Sequence, residues 1–540
     1  MITDQLKTRL ADARFQLKVL AETGIVSPMR PDRTLRVLST LVRGGTTPAT
    51  AARIAAIKYG EKPFIVDEAG SLSFTQVDRR TNSLARAMAR MGVGGGDGVA
   101  IMCRNHRGFI ESNLAASKLG ATALFLNTMF SGPQLADVVR REGPKVLIYD
   151  AEFAGLLGEV PEEVIRVLAG DDAEADGPAG EITTEGLISS TDDGAMDFPS
   201  EAARFIILTS GTTGAPKGAQ RNSPEGLGGL AGLLDCIPHR SGEVMVIAAP
   251  LFHSWGFINS VIAMTLGATV VLERKFDPER TMDLVDRHSA DVLVAVPVML
   301  QRILELPPHV SAGFRAENLK ITTLSGSALP GGLATRWMDR YGDSVYNLYG
   351  STEVAFVSIA GPEHLRKDPA TAGRPPRGTA VMLLDDEGGE VARGETGRIF
   401  VNNNMTFEGY TGGEDKERID GFLSSGDVGH FDVNGMLFID GRDDEMIISG
   451  GENVFPGEVE DLIAGHKDVV EVAVLGVKDE KFGQALKAWV VPVKPGAVDE
   501  AGIKALVRQN LASFKTPKEV VFISELPRNA TGKILKRSLE

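Results

Sequence analysis

Between about Gly98 and Tyr349 the chain alternates short runs of consecutive apolar, often β-branched residues with longer segments whose apolar positions recur three and four apart. "GVAIMC", "ATALFLN" and "KVLIYD" come first, and "RFIILTS", "EVMVIAAP", "GATVVLE", "ADVLVAVP", "LKITTLSG" and "SVYNLYG" follow. Unbroken apolar runs of this kind predict strands buried on both faces. The intervening segments, such as Arg107–Leu119 and Pro278–His288, have helical length and spacing. Repeated β-α-β units imply parallel sheets with helices on both faces and ligands at the carboxyl ends of strands. From Gly378 to Ile439 the pattern changes to short strands with tight Gly turns, which predicts a smaller β-rich subdomain. The last hundred residues mix strands ("VVEVAVLGV", "KAWVVPV", "EVVFIS") with helices, enough for a small α+β domain. Acidic "AGDDAEADGPAG" (Ala169–Gly180) reads as a surface loop between subdomains.

A chain of 540 residues is too long for one hydrophobic core, so two to four domains or subdomains are expected. The net charge of −15 argues against nonspecific nucleic-acid binding, which needs a basic surface. Only Cys103 and Cys236 occur, which leaves no disulfide framework and no cysteine-based zinc site. The N-terminus carries charges throughout and lacks the apolar block of a signal peptide, and no stretch approaches the ~20 apolar residues of a membrane span. The expected location is a reducing cytoplasm. Ile2, Leu6, Leu10, Ala13, Leu17 and Leu20 fall on one helical face, with Lys7, Arg9, Arg14 and Lys18 around it. Two uses of that face are open: packing on the protein itself, or reversible anchoring at an anionic membrane surface.

"ILTSGTTGAPKGAQR" (Ile207–Arg221) leaves a buried strand through residues that build almost no core. Backbone freedom, exposed N–H groups, hydroxyls and a cation suit the holding of polyanionic phosphate. The stretch is not a Walker A loop, because no G-x-x-x-x-G-K-S/T spacing occurs in the chain. "EGLGGLA" contains G-x-G-x-x-A but follows no strand, so it is rejected as a dinucleotide site.

Thr209–Gly218 resembles the phosphate loop of the adenylate-forming enzymes, the superfamily of acyl-CoA synthetases, peptide-synthetase adenylation domains and firefly luciferase. The family's other signatures follow in order: "LSGSALP" (Leu324–Pro330), "YNLYGSTE" (Tyr346–Glu353), "FLSSGDVGHFDVNGMLFIDGRDDEMI" (Phe422–Ile447) and "PRNATGKILKR" (Pro527–Arg537). The resemblance covers nearly the whole chain from about residue 45 and implies a set of site residues. Thr209, Ser210, Gly211, Thr212, Thr213, Gly214 and Lys217 would hold the phosphates of ATP, with Thr212 and Lys217 also acting in catalysis. Gly326, Ser327, Asn347, Tyr349 and Gly350 would line the adenine, with Tyr349 stacking on it. Thr352 would reach the α-phosphate and Glu353 would ligate Mg²⁺. Asp427 would accept both ribose hydroxyls, with Arg442 beside it. Lys533 would swing onto the reacting carboxylate and α-phosphate. "PLFHSWGF" (Pro250–Phe257) resembles the segment flanking the acyl pocket, with His253 near the carboxylate, Trp255 as a gate and Gly326 along the acyl chain.

By matching position Asp444 would be a hinge, and Gly450 and Gly451 would border the pantetheine tunnel of coenzyme A. The architecture implied is α/β: a large N-terminal domain of parallel-sheet subdomains plus a β-rich subdomain, and a small mobile α+β C-terminal domain. Its boundaries would be an amphipathic extension over 1–45, a large domain over 46–441 and a small domain over 442–540. Residues Gly226–Ile237 carry no charge apart from Asp235, which favours an apolar acid over an amino acid. The implied reaction is ATP-dependent activation of a fatty acid as acyl-AMP, then transfer to CoA. A CoA ligase for aromatic or short branched acids, or a fatty acyl-AMP ligase loading a carrier protein, are the alternatives. Partners are then the acid, ATP and CoA; a homodimer and peripheral membrane association stay open.

Overall fold

The computed structural model describes residues 2–170, 182–209, 217–221, 226–330, 332–413, 415–443, 447–449, 452–454, 456–479, 483–511, 515–529 and 532–539. Among the described residues the strands form four sheets. The first runs, in spatial order, Ala355–Ala360, Val345–Ser351, Ile321–Leu324, Val292–Ala295, Val244–Ile247, Thr269–Leu272, Pro63–Asp67 and Gly70–Ser73. Its interior pairs are parallel, and an antiparallel hairpin strand closes each edge. The second runs Gly409–Tyr410, Lys217–Arg221, Phe205–Thr209, Thr122–Phe125, Gly98–Met102, Val146–Tyr149 and Ile165–Leu168; its last five strands are parallel and the first two pair antiparallel. These are the β-α-β units the apolar runs predict. The helices between them form for local reasons: Pro278–Arg287, for example, starts at Asp277, whose carboxylate accepts from the Arg280 N–H, and buries Thr281, Met282 and Val285.

One core fills the space between the two sheets and joins Ile101, Phe125 and Ile207 of the second to Ile247, Val271 and Val294 of the first. At its centre the Phe125 ring lies 4.9 Å from both Phe109 and Phe257, in tilted and edge-on contacts that suit aromatic quadrupoles. The predicted β-rich subdomain is an antiparallel sheet of Ala380–Leu384, Gly397–Asn402, Phe422–Phe431, Arg418–Ile419 and Leu437–Arg442. The C-terminal segment builds a fourth, mixed sheet under helices Pro456–Ala464 and Glu500–Asn510. Its core of Val459, Ile463, Val474, Val490, Ile503 and Val507 is separate from the large one, which marks a small domain of its own. The acidic stretch expected as a loop lies, from residue 171 on, outside the described residues.

Two helices precede the first sheet, α1 (Ile2–Glu22) and α2 (Pro31–Gly44). α1 packs on the protein through Phe15, Val19 and Leu20: the latter two are buried, and the Arg377 guanidinium sits 4.3 Å over the Phe15 ring while pairing with Asp12 at 2.9 Å. That face is rotated from the apolar stripe of the sequence. Leu10, Ala13 and Leu17 of that stripe are exposed, and only Leu20 of it is buried among the residues whose side chains are described. No helix among the described residues is long and apolar enough to cross a membrane.

Candidate active site

The glycine-rich stretch leaves the strand Phe205–Thr209 as expected, but it returns as an antiparallel strand, Lys217–Arg221, in register Thr209 with Lys217. The described residues that follow it are thus a strand and not a helix. Ser210, Gly211, Thr212, Thr213 and Gly214 lie outside the described residues, as does the Thr209 side chain. Lys217 opens the return strand with its Nζ 5.6 Å from the centre of the Tyr410 ring.

The segment Asn347–Glu353 turns between Val345–Ser351 and Ala355–Ala360. Gly350 is required there, because a Cβ on it would come 1.9 Å from the Ala355 carbonyl oxygen. The turn points its side chains into a cleft. The Tyr349 hydroxyl donates to Asp427 Oδ2 at 2.6 Å, and burial pushes that phenol well above its ordinary range. Asp427 and Arg442 face each other across adjacent strands, Oδ1 and Nη1 3.9 Å apart. Burial raises the Asp427 carboxyl above its usual value despite the Tyr349 hydroxyl and the charges of Arg442, Lys416 and Lys533.

Glu353 is only 8% exposed. Burial alone would raise its pKa, but the Lys416 charge and hydrogen bonds from Tyr410 and Ser351 outweigh it and hold the carboxyl below its ordinary value. Tyr410 donates to Oε1 at 2.7 Å. A carboxylate held ionised at the rim of the cleft fits a hard cation such as Mg²⁺. Three groups in this shell stand outside the motifs: Tyr410, Lys416 and Arg221. Arg221 donates through Nε at 2.7 Å, and through Nη2, to the Thr352 carbonyl, and so fixes the turn that presents Glu353. Burial lowers the Arg221 guanidinium to about 10. Arg221 ends the quoted phosphate stretch, which was its only sequence signal; Tyr410 and Lys416 gave none. The Thr352 hydroxyl meets Ser254 Oγ at 3.1 Å.

On the cleft's apolar side His253 caps the helix Ser254–Leu266. Its Nε2 is buried with no hydrogen-bond partner among the described residues, and desolvation drives the imidazole down to about 4, so the ring is neutral. Trp255 is buried, and its indole donates to the Ala295 carbonyl at 3.1 Å, which makes it a tethered wall. Gly326 has φ +93, a backbone that only glycine adopts freely, and Ser327 follows it on the cleft's edge. Asn347 is buried with its Oδ1 unpartnered among the described residues, a polar atom left for a ligand to satisfy. In the helix Gly228–Cys236, Leu230 reaches the cleft, while a Cβ on Gly232 would meet the Arg377 carbonyl at 2.3 Å. Gly232 thus serves close packing.

From the C-terminal domain, Lys533 enters the same cleft. It is exposed, with its N–H on Asn529 Oδ1 at 2.9 Å, and its charge is felt at Asp427. Gly532 before it, at φ +77, seats so closely that a Cβ would come 2.2 Å from Val298 Cγ1 on the cleft wall. Asp444, Gly450 and Gly451 lie outside the described residues. The whole cleft measures about 3790 Å³, far above the ~300–1,000 Å³ of a single-ligand pocket, because it joins the strand-end site, the space between domains and a groove under α2.

Comparison with known proteins agrees with this geometry. Residues 53–411 match the family model described as AMP-binding enzyme, and residues 458–533 match the AMP-binding enzyme C-terminal domain. The chain is 32% identical over 474 residues to an indoleacetate–CoA ligase of Aromatoleum aromaticum, covering 86% of this chain and 92% of that protein. It is 33% identical over 504 residues to a feruloyl-CoA synthase of an Amycolatopsis species, covering 91% and 97%. The crystal structure of ATP-bound MatB from Rhodopseudomonas palustris superposes with a TM-score of 0.80 at 28% identity, over 91% of this chain and 98% of that one. The chain belongs to the AMP-binding enzyme family, the adenylate-forming superfamily.

Proposed function

We propose that the protein is an AMP-forming acid–CoA ligase. It joins a carboxylate to ATP as an acyl adenylate with loss of pyrophosphate, then passes the acyl group to the thiol of CoA with loss of AMP. The observation that carries this reading is the convergence of Tyr349, Glu353, Asp427, Arg442 and Lys533 on one cleft, beside the hairpin that returns at Lys217. Adenylation brings two anions together, so positive charge must stand where negative charge accumulates. Lys217 serves the departing phosphates and Lys533 the α-phosphoryl group and carboxylate. Glu353 would hold a Mg²⁺ ion, which would supply charge to screen the phosphates. Asp427 takes the ribose hydroxyls in exchange for the Tyr349 hydroxyl it now accepts, and Arg442 supports it. His253, neutral and with its Nε2 free of partners among the described residues, orients the acid and abstracts no proton, since a carboxylate nucleophile has none to give.

The acid is aromatic or short and branched, in preference to a fatty acid. In support, both relatives named above are ligases of aromatic acids. The wall of Trp255, Leu230, Val296 and Val298 is apolar, and the indole tether keeps it in place. One observation favours the fatty-acid reading: the cleft continues past Val261, Met264 and Thr265 to Leu38 and Leu41, a path that suits a long chain. The second half-reaction rests on rotation of the small domain about Asp444, which brings Gly450 and Gly451 to the thiol arm. The test is pyrophosphate release and thioester formation across aryl, branched and C8–C16 acids, with and without CoA. Preference for aryl acids with CoA-dependent turnover is expected. Preference for long chains would restore the fatty-acid reading, and adenylate without CoA turnover would point to a carrier-protein acceptor.

A further inference from the structure

The first 45 residues hold an unusual share of the protein's exposed apolar side chains. Of the fourteen large hydrophobic residues that stand exposed among the described side chains, seven are here: Leu10, Leu17, Val26, Leu35, Leu38, Leu41 and Val42. Their arrangement is ordered. Leu35, Leu38 and Val42 recur at i, i+3 and i+7 along α2 and form one stripe. Leu35 is 69% and Val42 85% exposed, whereas Thr40 is the one buried residue of the helix. Leu10 and Leu17 make a second such stripe on α1.

The flanks of these stripes are cationic. This segment has eight Lys and Arg against four Asp and Glu, in a chain whose net charge is −15. Arg33, Arg36 and Arg43 of α2 are exposed and have no ion-pair partner among the described residues. On a helical wheel Arg36 and Arg43 lie together beside Leu35, where a long side chain can reach outward past the apolar stripe.

We propose that α1 and α2 form a docking surface for an anionic lipid bilayer. The chemistry on the page selects that occupant. A stripe of Leu and Val without an aromatic anchor lacks what a protein interface uses for its central contacts. A bilayer needs no such complementarity. Leucine and valine enter the acyl boundary, while neighbouring arginines stay among the phosphates. The attraction is local, because the rest of the molecule is acidic and would be repelled. The surface adjoins the cleft, since Leu38 and Leu41 line its far end.

Cosedimentation of the full-length protein with vesicles of phosphatidylcholine, alone or mixed with phosphatidylglycerol, tests the proposal. Binding to the mixed vesicles only, falling as salt is raised, is expected. Leu35→Gln with Val42→Gln should weaken it at least ~10-fold by removing two inserting side chains. Arg36→Gln with Arg43→Gln should weaken it and flatten the salt dependence. Both double variants should keep the wild-type thermal midpoint and pyrophosphate release with a small water-soluble acid. If the apolar pair fails to fold, the arginine pair alone decides. The proposal is overturned if the wild type ignores anionic vesicles, or if both double variants bind as the wild type does. It is also overturned if sedimentation shows a dimer that Leu35→Gln dissociates without any vesicle binding, which would give the face to a second copy of the chain.

Discussion

At the scale of single residues the site separates charge that must act during adenylation from charge that holds the shell in place. Lys533 is exposed and reaches the cleft from the small domain, so its loss should be felt in one half-reaction only. Lys533→Ala should slow adenylate formation by ~10²–10³, the usual loss for such a contact, while presynthesised acyl adenylate and CoA still give thioester at close to the normal rate. Stopped-flow pyrophosphate release and thioester assays separate the two. His253 allows a prediction about pH. An unfolded histidine titrates near 6.5, but burial drives this one down to about 4, so between those values the unfolded chain binds the extra proton. Its contribution to stability is therefore full above pH 6.5 and is lost as pH falls toward 4. Urea midpoints of His253→Gln should fall less steeply than those of the wild type across that window; parallel curves would remove the assignment. The residues that touch the proposed nucleotide were legible because each sits in a dense motif whose residue types suit phosphate, ribose or a hard cation. Arg221, Tyr410 and Lys416 were not, because what selects them is a carbonyl and a carboxylate far away in sequence.

At the scale of elements, the turn between Tyr349 and Ala355 governs whether the site assembles. Gly350→Ala would drive a methyl group into the Ala355 carbonyl, and the turn would have to shift. We expect the thermal midpoint to drop and adenylate formation to fall further than stability alone explains, since Tyr349 and Glu353 move with the turn. Normal adenylation kinetics in that variant would show that the turn relaxes elsewhere. The same elements mark how far the apolar pattern could be read. The buried parallel strands were legible, since Val292–Ala295 or Val146–Tyr149 could be little else than strands. The return strand Lys217–Arg221 was not. Its lysine, glycine, glutamine and arginine carry no apolar run, and it exists because it pairs with Phe205–Thr209 on one side and Gly409–Tyr410 on the other. The helical face of α1 was misjudged for a related reason. Periodicity counts leucines, but Phe15 under Arg377, with Val19 and Leu20, decides which side of the helix the protein covers.

At the scale of the whole molecule, the small domain carries Lys533 to a cleft that the large domain builds, and the two meet where Gly532 rests against Val298. Val298 also lines the wall that an acid would touch. One side chain thus touches both the wall proposed for the acid and the seat of the small domain, which has a practical consequence for anyone redesigning this catalyst. Narrowing the pocket with Val298→Phe would select smaller acids, but the ring would also displace the backbone at Gly532 and hold Lys533 away from its target. The variant should lose adenylation rate even for acids that fit, while its thioester half-reaction stays intact. Restoring the rate should then take a second change in the segment around Asn529, so that selectivity and turnover must be evolved here as a pair.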